Sequence, residues 1–378
     1  MSSDVIIAGG GVIGLGIAWR SAQRGVRVTV VDPSPGTAAT WTAAGMLTPA
    51  TELHYGEQPL LMLGLESARR YPDFVAELED AAGATVGYRR DGTIVSAWDT
   101  ADLAGLRDLQ EFGRTLGLTT ELLTGRELRQ LEPALASGLP GGLHAADDGQ
   151  VDTRRLRDAL LTAIERAGGH VVRHHVRSVR VEGDRVRGVT LGPGEELDAD
   201  TVVVAAGAWS GQIVGVPAEA VPVHPVKGQT LRLHLPDGAP LQRVVRGVVR
   251  GSPVYLIPRA SGEIVVGASS EDAGFDVTPR AGAIYELLRD AQALVPVLGE
   301  AIFDEVSTSL RPGSPDNAPL IGPTTIDGLI VATGHYRNGI LLAPVTADGV
   351  AELLAGGALP EGLLPFTPSR FATEGARP

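Results

Sequence analysis

The sequence predicts an α/β protein of two domains, one of them built on a parallel sheet that binds a nucleotide. Three observations point there. A continuous apolar strand runs straight into Gly9-x-Gly11-x-x-Gly14 and a helix. Buried-type strands alternate with amphipathic helices along much of the chain. The length, 378 residues, exceeds the ~100–200 residues of an ordinary single domain.

Val5-Ile6-Ile7-Ala8 is apolar on both faces, as a central parallel strand requires. In the next stretch Ile13, Ile17 and Ala18 share a helical face, and Gly25 stands where a left-handed C-terminal cap is wanted. The branched run Val26 to Val31 then ends at Asp32, closing one βαβ unit. Further on, the patterns predict helices over 58–82, 101–118 and 156–167, and strands over 93–97 and 201–206. Alternating valines from Val171 to Val186 predict two or three strands. The segment 221–266 is strand-like, with turns at Pro236-Asp237-Gly238 and Ala260-Ser261-Gly262. A helix over 282–294, a strand over 329–333 and a helix over 340–354 follow, and the polar tail from Thr367 is expected to fray.

Composition excludes whole classes of chemistry. Cysteine is absent, which removes disulfides, zinc ribbons, iron–sulfur clusters, cysteine nucleophiles and thioether-linked cofactors. The 32 basic residues include a single lysine, Lys227, followed rather than preceded by glycine, so there is no Walker A loop. No Gly-x-Ser-x-Gly elbow occurs. A net charge of −13 argues against nucleic-acid or anionic-lipid partners. The apolar stretch after Met1 lacks a basic flank and is broken by glycines, and no run of ~20 apolar residues occurs, so a cytoplasmic protein without membrane contact is expected.

The glycine motif has a mechanical reading. Gly9 permits a tight exit from the strand, Gly11 lets backbone approach a pyrophosphate, and Gly14 lets the helix, with Val12 and Ile13 in its first turn, pack on the sheet. Phosphates then meet the free N–H groups at the helix start. Asp32, at the end of the second strand, is placed to accept hydrogen bonds from a ribose. These features leave NAD(P) or FAD. The strand over 201–206, running into Gly207-Ala208-Trp209, is either a core strand or a close backbone approach to the cofactor. His170 and His174 have a helical metal spacing, but their valine-rich surroundings read as strand, so no metal site is assigned.

Further motifs carry a resemblance over nearly the whole chain: Ala43-Ala44-Gly45-Met46-Leu47, Val151-Asp152, Val204-Ala205-Ala206-Gly207-Ala208-Trp209, Pro225-Val226-Lys227-Gly228-Gln229 and Tyr255-Leu256-Ile257-Pro258-Arg259. Leu310-Arg311-Pro312-Gly313, Pro319-Leu320-Ile321-Gly322 and the discriminating Gly334-His335-Tyr336-Arg337-Asn338-Gly339-Ile340 complete the set. The sequence resembles the D-amino acid oxidase superfamily of FAD-dependent amine oxidases, and within it most closely the glycine oxidases of thiamine biosynthesis. The family's strand-end acid is usually glutamate; Asp32 is a shorter variant.

The resemblance implies an FAD-binding Rossmann-like domain with a second α+β substrate domain built on an antiparallel sheet. The expected division is 1–85, 146–215 and 310–378 for FAD, with 86–145 and 216–309 for substrate. It implies non-covalent FAD on Gly9, Gly11, Val12, Ile13, Gly14, Asp32, Ala44, Gly45, Met46, Ala206, Gly207, Trp209, His335, Arg337, Asn338, Gly339 and Ile340. Gly45, Gly207 and Gly334 are expected to keep side chains off the cofactor, and a helix starting near Asn338 to aim N–H groups at the flavin pyrimidine. Arg311 would pair with a substrate carboxylate, Tyr255 would hydrogen-bond to it, and Arg337 would lie at the pocket edge. His335 would orient neighbours, while Lys227 is either an aid to oxygen reduction or structural. The implied reaction is oxidative deamination of glycine or another small amino acid with O2 giving hydrogen peroxide, by a homo-oligomer. The alternatives are a sarcosine or D-amino acid oxidase or dehydrogenase, or a non-catalytic FAD-binding protein.

Overall fold

The computed structural model describes residues 5–236, 238 and 240–371. At its centre a six-stranded sheet runs in the order Leu320–Pro323, Leu329–Thr333, Thr201–Val204, Val5–Ala8, Val28–Val31, His170–Val172. All neighbours are parallel except the pair formed by Leu320–Pro323 and Leu329–Thr333. Ile6, Ile7, Val202, Val203, Val204 and Val331 have no exposed surface, which is why these strands read as unbroken apolar runs. Helices Val12–Gln23, Gln58–Ala82, Thr153–Arg166 and Ala343–Leu354 pack into one core with the sheet. Trp19 meets Phe74 edge-on there at 5.1 Å, a pair worth about 0.5–1.5 kcal/mol beyond its area. A three-stranded antiparallel layer, Val176–Glu182, Arg185–Leu191 and Glu196–Asp198, covers the opposite face.

The second layer is an eight-stranded sheet: Ile302–Gly313, His224–His234, Glu263–Gly267, Ser252–Pro258, Val244–Val249, Thr93–Ala97, Gly141–Ala145, Glu121–Thr124. Its pairs are antiparallel except Val244–Val249 with Thr93–Ala97. The period-2 alternation gives it two faces. Leu231, Leu233, Val245, Leu256 and Val266 pack under helix Ala281–Leu294. The residues between them, Thr230, Arg246 and Tyr255 among others, face a cavity shared with the six-stranded sheet.

Most expected elements occur, with instructive shifts. The helix over 156–167 begins at Thr153 because the Asp152 carboxylate caps Arg154 and Arg155 N–H. The helix over 101–118 spans Thr100–Thr115 behind an Asp99 capping box. The last helix starts not at 340 but at Ala343, with Pro344 in its first turn, where the missing N–H costs nothing. Residues 338–342 form a turn, in which Leu342 N–H donates to the Asn338 carbonyl at 2.8 Å. The tail does not fray at Thr367: Pro368–Phe371 is a short 3-10 helix, and Arg370 binds Asp316 at 2.8 Å and the Ala318 carbonyl at 3.0 Å. Asp237 of the expected 236–238 turn, and 372–378, lie outside the described residues.

Candidate active site

A cavity of about 1400 Å³ lies between the two sheets, larger than the ~300–1,000 Å³ of a drug-sized pocket and suited to a dinucleotide. One end is built by the first βαβ unit. A Cβ on Gly14 would overlap the Gly9 carbonyl, and one on Gly9 would lie 2.6 Å from Ala205 C; both glycines therefore serve chain packing. At Gly11 the nearest atom to such a Cβ is Thr40 Oγ1 at 3.6 Å, which leaves the space before the helix open. Thr40 Oγ1 also accepts the Val12 N–H at 2.9 Å. Asp32 accepts Gly10 N–H on Oδ2 and Ser34 N–H on Oδ1, each at 2.8 Å. A carboxylate has about four lone-pair sites, so two remain for ribose hydroxyls.

Along the cavity wall lie Ala44, Gly45, Met46, Ala206, Gly207 and Trp209. Arg259, unassigned from the sequence, fixes the first three. Its buried guanidinium donates to the carbonyls of Ala44 at 2.5 Å and Val151 at 2.9 Å and to Gln150 Oε1 at 3.0 Å. Burial lowers it to about 10, which leaves it protonated at neutral pH. Gly45 is required by protein and not by ligand, since at its φ of 85° a Cβ would overlap the Val151 carbonyl. Gly334 likewise faces Leu320, and only Gly207 of these three opens onto free space.

At the other end, two glycines make a floor. The Arg311 guanidinium lies across Gly228, with Cζ 2.6 Å from where a Cβ would stand, and Tyr255 lies across Gly267 in the same way at 2.5 Å. Arg311 donates to the Ser269 carbonyl at 3.1 Å and has no carboxylate partner among the described residues. Burial pushes the Tyr255 phenol up, opposed by Arg311, so it is a neutral donor. Arg246, directly opposite Tyr255 in the sheet, reaches the same cavity face. Over them runs the segment 48–57. Thr51 accepts from Arg246 on its carbonyl at 2.8 Å, Glu52 pairs with Arg246 at 3.3 Å, and Glu57 pairs with Arg337 at 3.4 Å. Beneath it Thr51 Oγ1 donates to buried Asp148 at 2.7 Å; burial raises that carboxyl to about 7.

The structure thus gathers Arg311, Tyr255 and Arg337 in one cavity with Gly9, Gly11, Val12, Ile13, Asp32, His335, Gly339 and Ile340. Gly14, Asn338 and Lys227 do not line it. Lys227 alternates to the far side of its strand, fully buried, where Nζ donates to the Thr278 carbonyl at 2.6 Å and pairs with Glu271 at 3.4 Å. That leaves it no direct role in the cavity. His335 hydrogen-bonds Thr346 at 3.0 Å, and burial pushes it down to about 3. It is a neutral packing group. The last helix begins at Ala343 and not near Asn338, and Gly339 and Ile340 of the preceding turn line the cavity. Arg246 and Glu52 carried no motif. Among the described residues no metal-holding cluster occurs, and no helix is long and apolar enough to cross a membrane.

Residues 4–353 match the family of FAD dependent oxidoreductases of the DAO type. The chain belongs to this family. It is therefore an FAD-dependent enzyme, which decides the cofactor left open by the glycine motif. It is 35% identical over 379 residues to a bifunctional protein ThiO/ThiG of Synechocystis, covering 98% of this chain and 54% of that protein; the chain spans about half the length of that relative. To a glycine oxidase of Geobacillus kaustophilus it is 32% identical over 370 residues, 97% of both chains. A crystal structure of glycine oxidase from that organism superposes with a TM-score of 0.90 over 97% of this chain and 98% of the other.

Proposed function

We propose that this oxidoreductase deaminates glycine and other small amino acids oxidatively, with oxygen as acceptor. The supporting observation is the Arg311–Tyr255 pair, laid side by side on a glycine floor at one end of the cavity. Arg311 offers its guanidinium to the substrate carboxylate, a charge-assisted contact that orients the α-carbon as well as holding the acid. Tyr255, neutral, donates a further hydrogen bond. Arg337, tied to Glu57, borders the same space. The Gly11 turn, Asp32, Ala44–Met46 and Ala206–Trp209 would hold FAD, which when bound would supply a two-electron acceptor for the α-carbon hydride, with O2 as the terminal acceptor giving hydrogen peroxide. The amine loses a proton and becomes an imine, which water converts to glyoxylate and ammonia. The protein's part is position.

The resemblance to the glycine oxidases of thiamine biosynthesis supports a place in supplying an imine to thiazole synthesis. With no cysteine, FAD is held without a thioether. The proposed division is 1–85, 146–215 and 310–378 for FAD against 86–145 and 216–309 for substrate; the strand Ile302–Gly313 of the eight-stranded sheet crosses its last junction. Peroxide release across glycine, sarcosine, D-alanine and D-proline tests the proposal. Turnover of at least one is expected. Silence with all four rejects an amino acid oxidase, and preference for sarcosine or a D-amino acid moves the chain to that branch.

A further inference from the structure

We infer that Glu52, held by Arg246, is the specificity-determining group that selects substrates carrying a cationic nitrogen; this rests on the oxidase proposal and deepens it. Arg246 and Tyr255 are direct cross-strand partners, so their side chains leave the same sheet face. Arg311 approaches Tyr255 from the opposite side, across the strands of Gly228 and Gly267. The phenol therefore sits between an arginine without a carboxylate partner and a glutamate–arginine pair.

Glu52 is built into place. Its side chain is 15% exposed, lines the cavity, and gives Oε1 to Arg246. No protein donor meets Oε2 among the described residues. The neighbouring Thr51 is tied to Arg246 through carbonyl and hydroxyl, at 2.8 and 3.3 Å, and to Asp148. An acid held by one ion pair to Arg246 and carried next to the anchored Thr51, acceptor-only and open to the cavity, matches an ammonium or amine N–H. Glu57 is already engaged by Arg337 and by Asn317, which leaves Glu52 as the acceptor on this side. Arg311 for the carboxylate and Glu52 for the nitrogen make the complement of a zwitterion. A carboxylate without nitrogen meets Glu52 as a desolvated charge with nothing to bind.

The test uses two probes of similar shape on the FAD-loaded enzyme, read by perturbation of the flavin absorbance. One is 2-aminoisobutyrate, a zwitterion whose α-carbon has no hydrogen to lose. The other is isobutyrate, which lacks the nitrogen. Wild type is expected to bind 2-aminoisobutyrate more tightly. Glu52→Gln is expected to weaken it at least 10-fold while isobutyrate binds as well or better. Glu52→Asp, which keeps the charge, should retain most of the preference. Equal weakening of both probes, an unchanged preference in Glu52→Gln, or equal loss in Glu52→Asp would overturn the inference. Wild type that releases peroxide with none of glycine, sarcosine, D-alanine and D-proline would overturn the oxidase proposal itself, a result distinct from a lost preference.

Discussion

Alanine at Gly228 is a small change with a large expected effect, because it acts on Arg311 without removing it. The added Cβ would lie 2.6 Å from Arg311 Cζ, whereas carbon atoms pack at ~3.5–4.0 Å. The guanidinium must withdraw by about 1 Å. That breaks its 3.1 Å bond to the Ser269 carbonyl, a net loss of about 0.5–1.5 kcal/mol, and misplaces the carboxylate fork. Misplacement on the order of 1 Å costs up to about 100-fold in rate. Glycine inside a strand is itself unfavourable, so the strand should not suffer. We expect kcat/KM for glycine to fall about 10- to 100-fold in Gly228→Ala, with FAD content unchanged and only the small fall in Tm that the lost bond accounts for. Initial peroxide rates against glycine concentration, with flavin absorbance for occupancy, measure this. A kcat/KM within twofold of wild type would refute the glycine-floor geometry, as would a loss that tracks loss of FAD.

Other variants separate the remaining roles. Lys227→Met should destabilise the protein by about 1–3 kcal/mol, since it leaves the Thr278 carbonyl and Glu271 without their buried donor, while reoxidation by oxygen stays at the wild-type rate. Slowed reoxidation at an unchanged Tm would contradict that assignment. Asp32→Ala removes the acceptor of Gly10 and Ser34 N–H and should weaken FAD about 10- to 100-fold in a fluorescence titration; an unchanged Kd would place the ribose elsewhere. His335 has its pKa lowered from 6.5 to about 3 by burial, so the unfolded chain binds the extra proton across that window. Its contribution is complete above pH 6.5 and is lost as pH falls toward 3. His335→Gln should therefore lose less Tm than wild type between pH 7 and pH 4, and parallel curves would show that another group governs acid lability.

How much was legible in the sequence follows from where each signal was written. The nucleotide end lies in one contiguous βαβ unit, and its strands are buried on both faces, so Val5–Ala8 and Thr201–Val204 announce themselves. The strand Ile302–Gly313 was missed although it carries Arg311. Asp304, Glu305 and Ser307 bond His234, Arg154 and Thr230, and with Thr308 and Ser309 beside them no apolar alternation marks the strand. The family motifs pointed to Arg311 and Tyr255, and both line the cavity. Nothing local recovers Arg246 and Glu52, which become neighbours only when segment 48–57 folds over a strand almost two hundred residues later. The reason for Gly45 was also hidden, because its constraint is the Val151 carbonyl across a two-stranded ladder.

The most direct test of the carboxylate site is the kcat/KM of Arg311→Ala for glycine on enzyme saturated with FAD. Two charge-assisted hydrogen bonds at about 1.5–3 kcal/mol each predict a fall on the order of 10²–10⁴-fold at least, carried mainly by weaker substrate binding, with FAD affinity unchanged. Turnover at normal glycine affinity in that variant would contradict the assignment of Arg311 and, with it, the proposed reaction geometry.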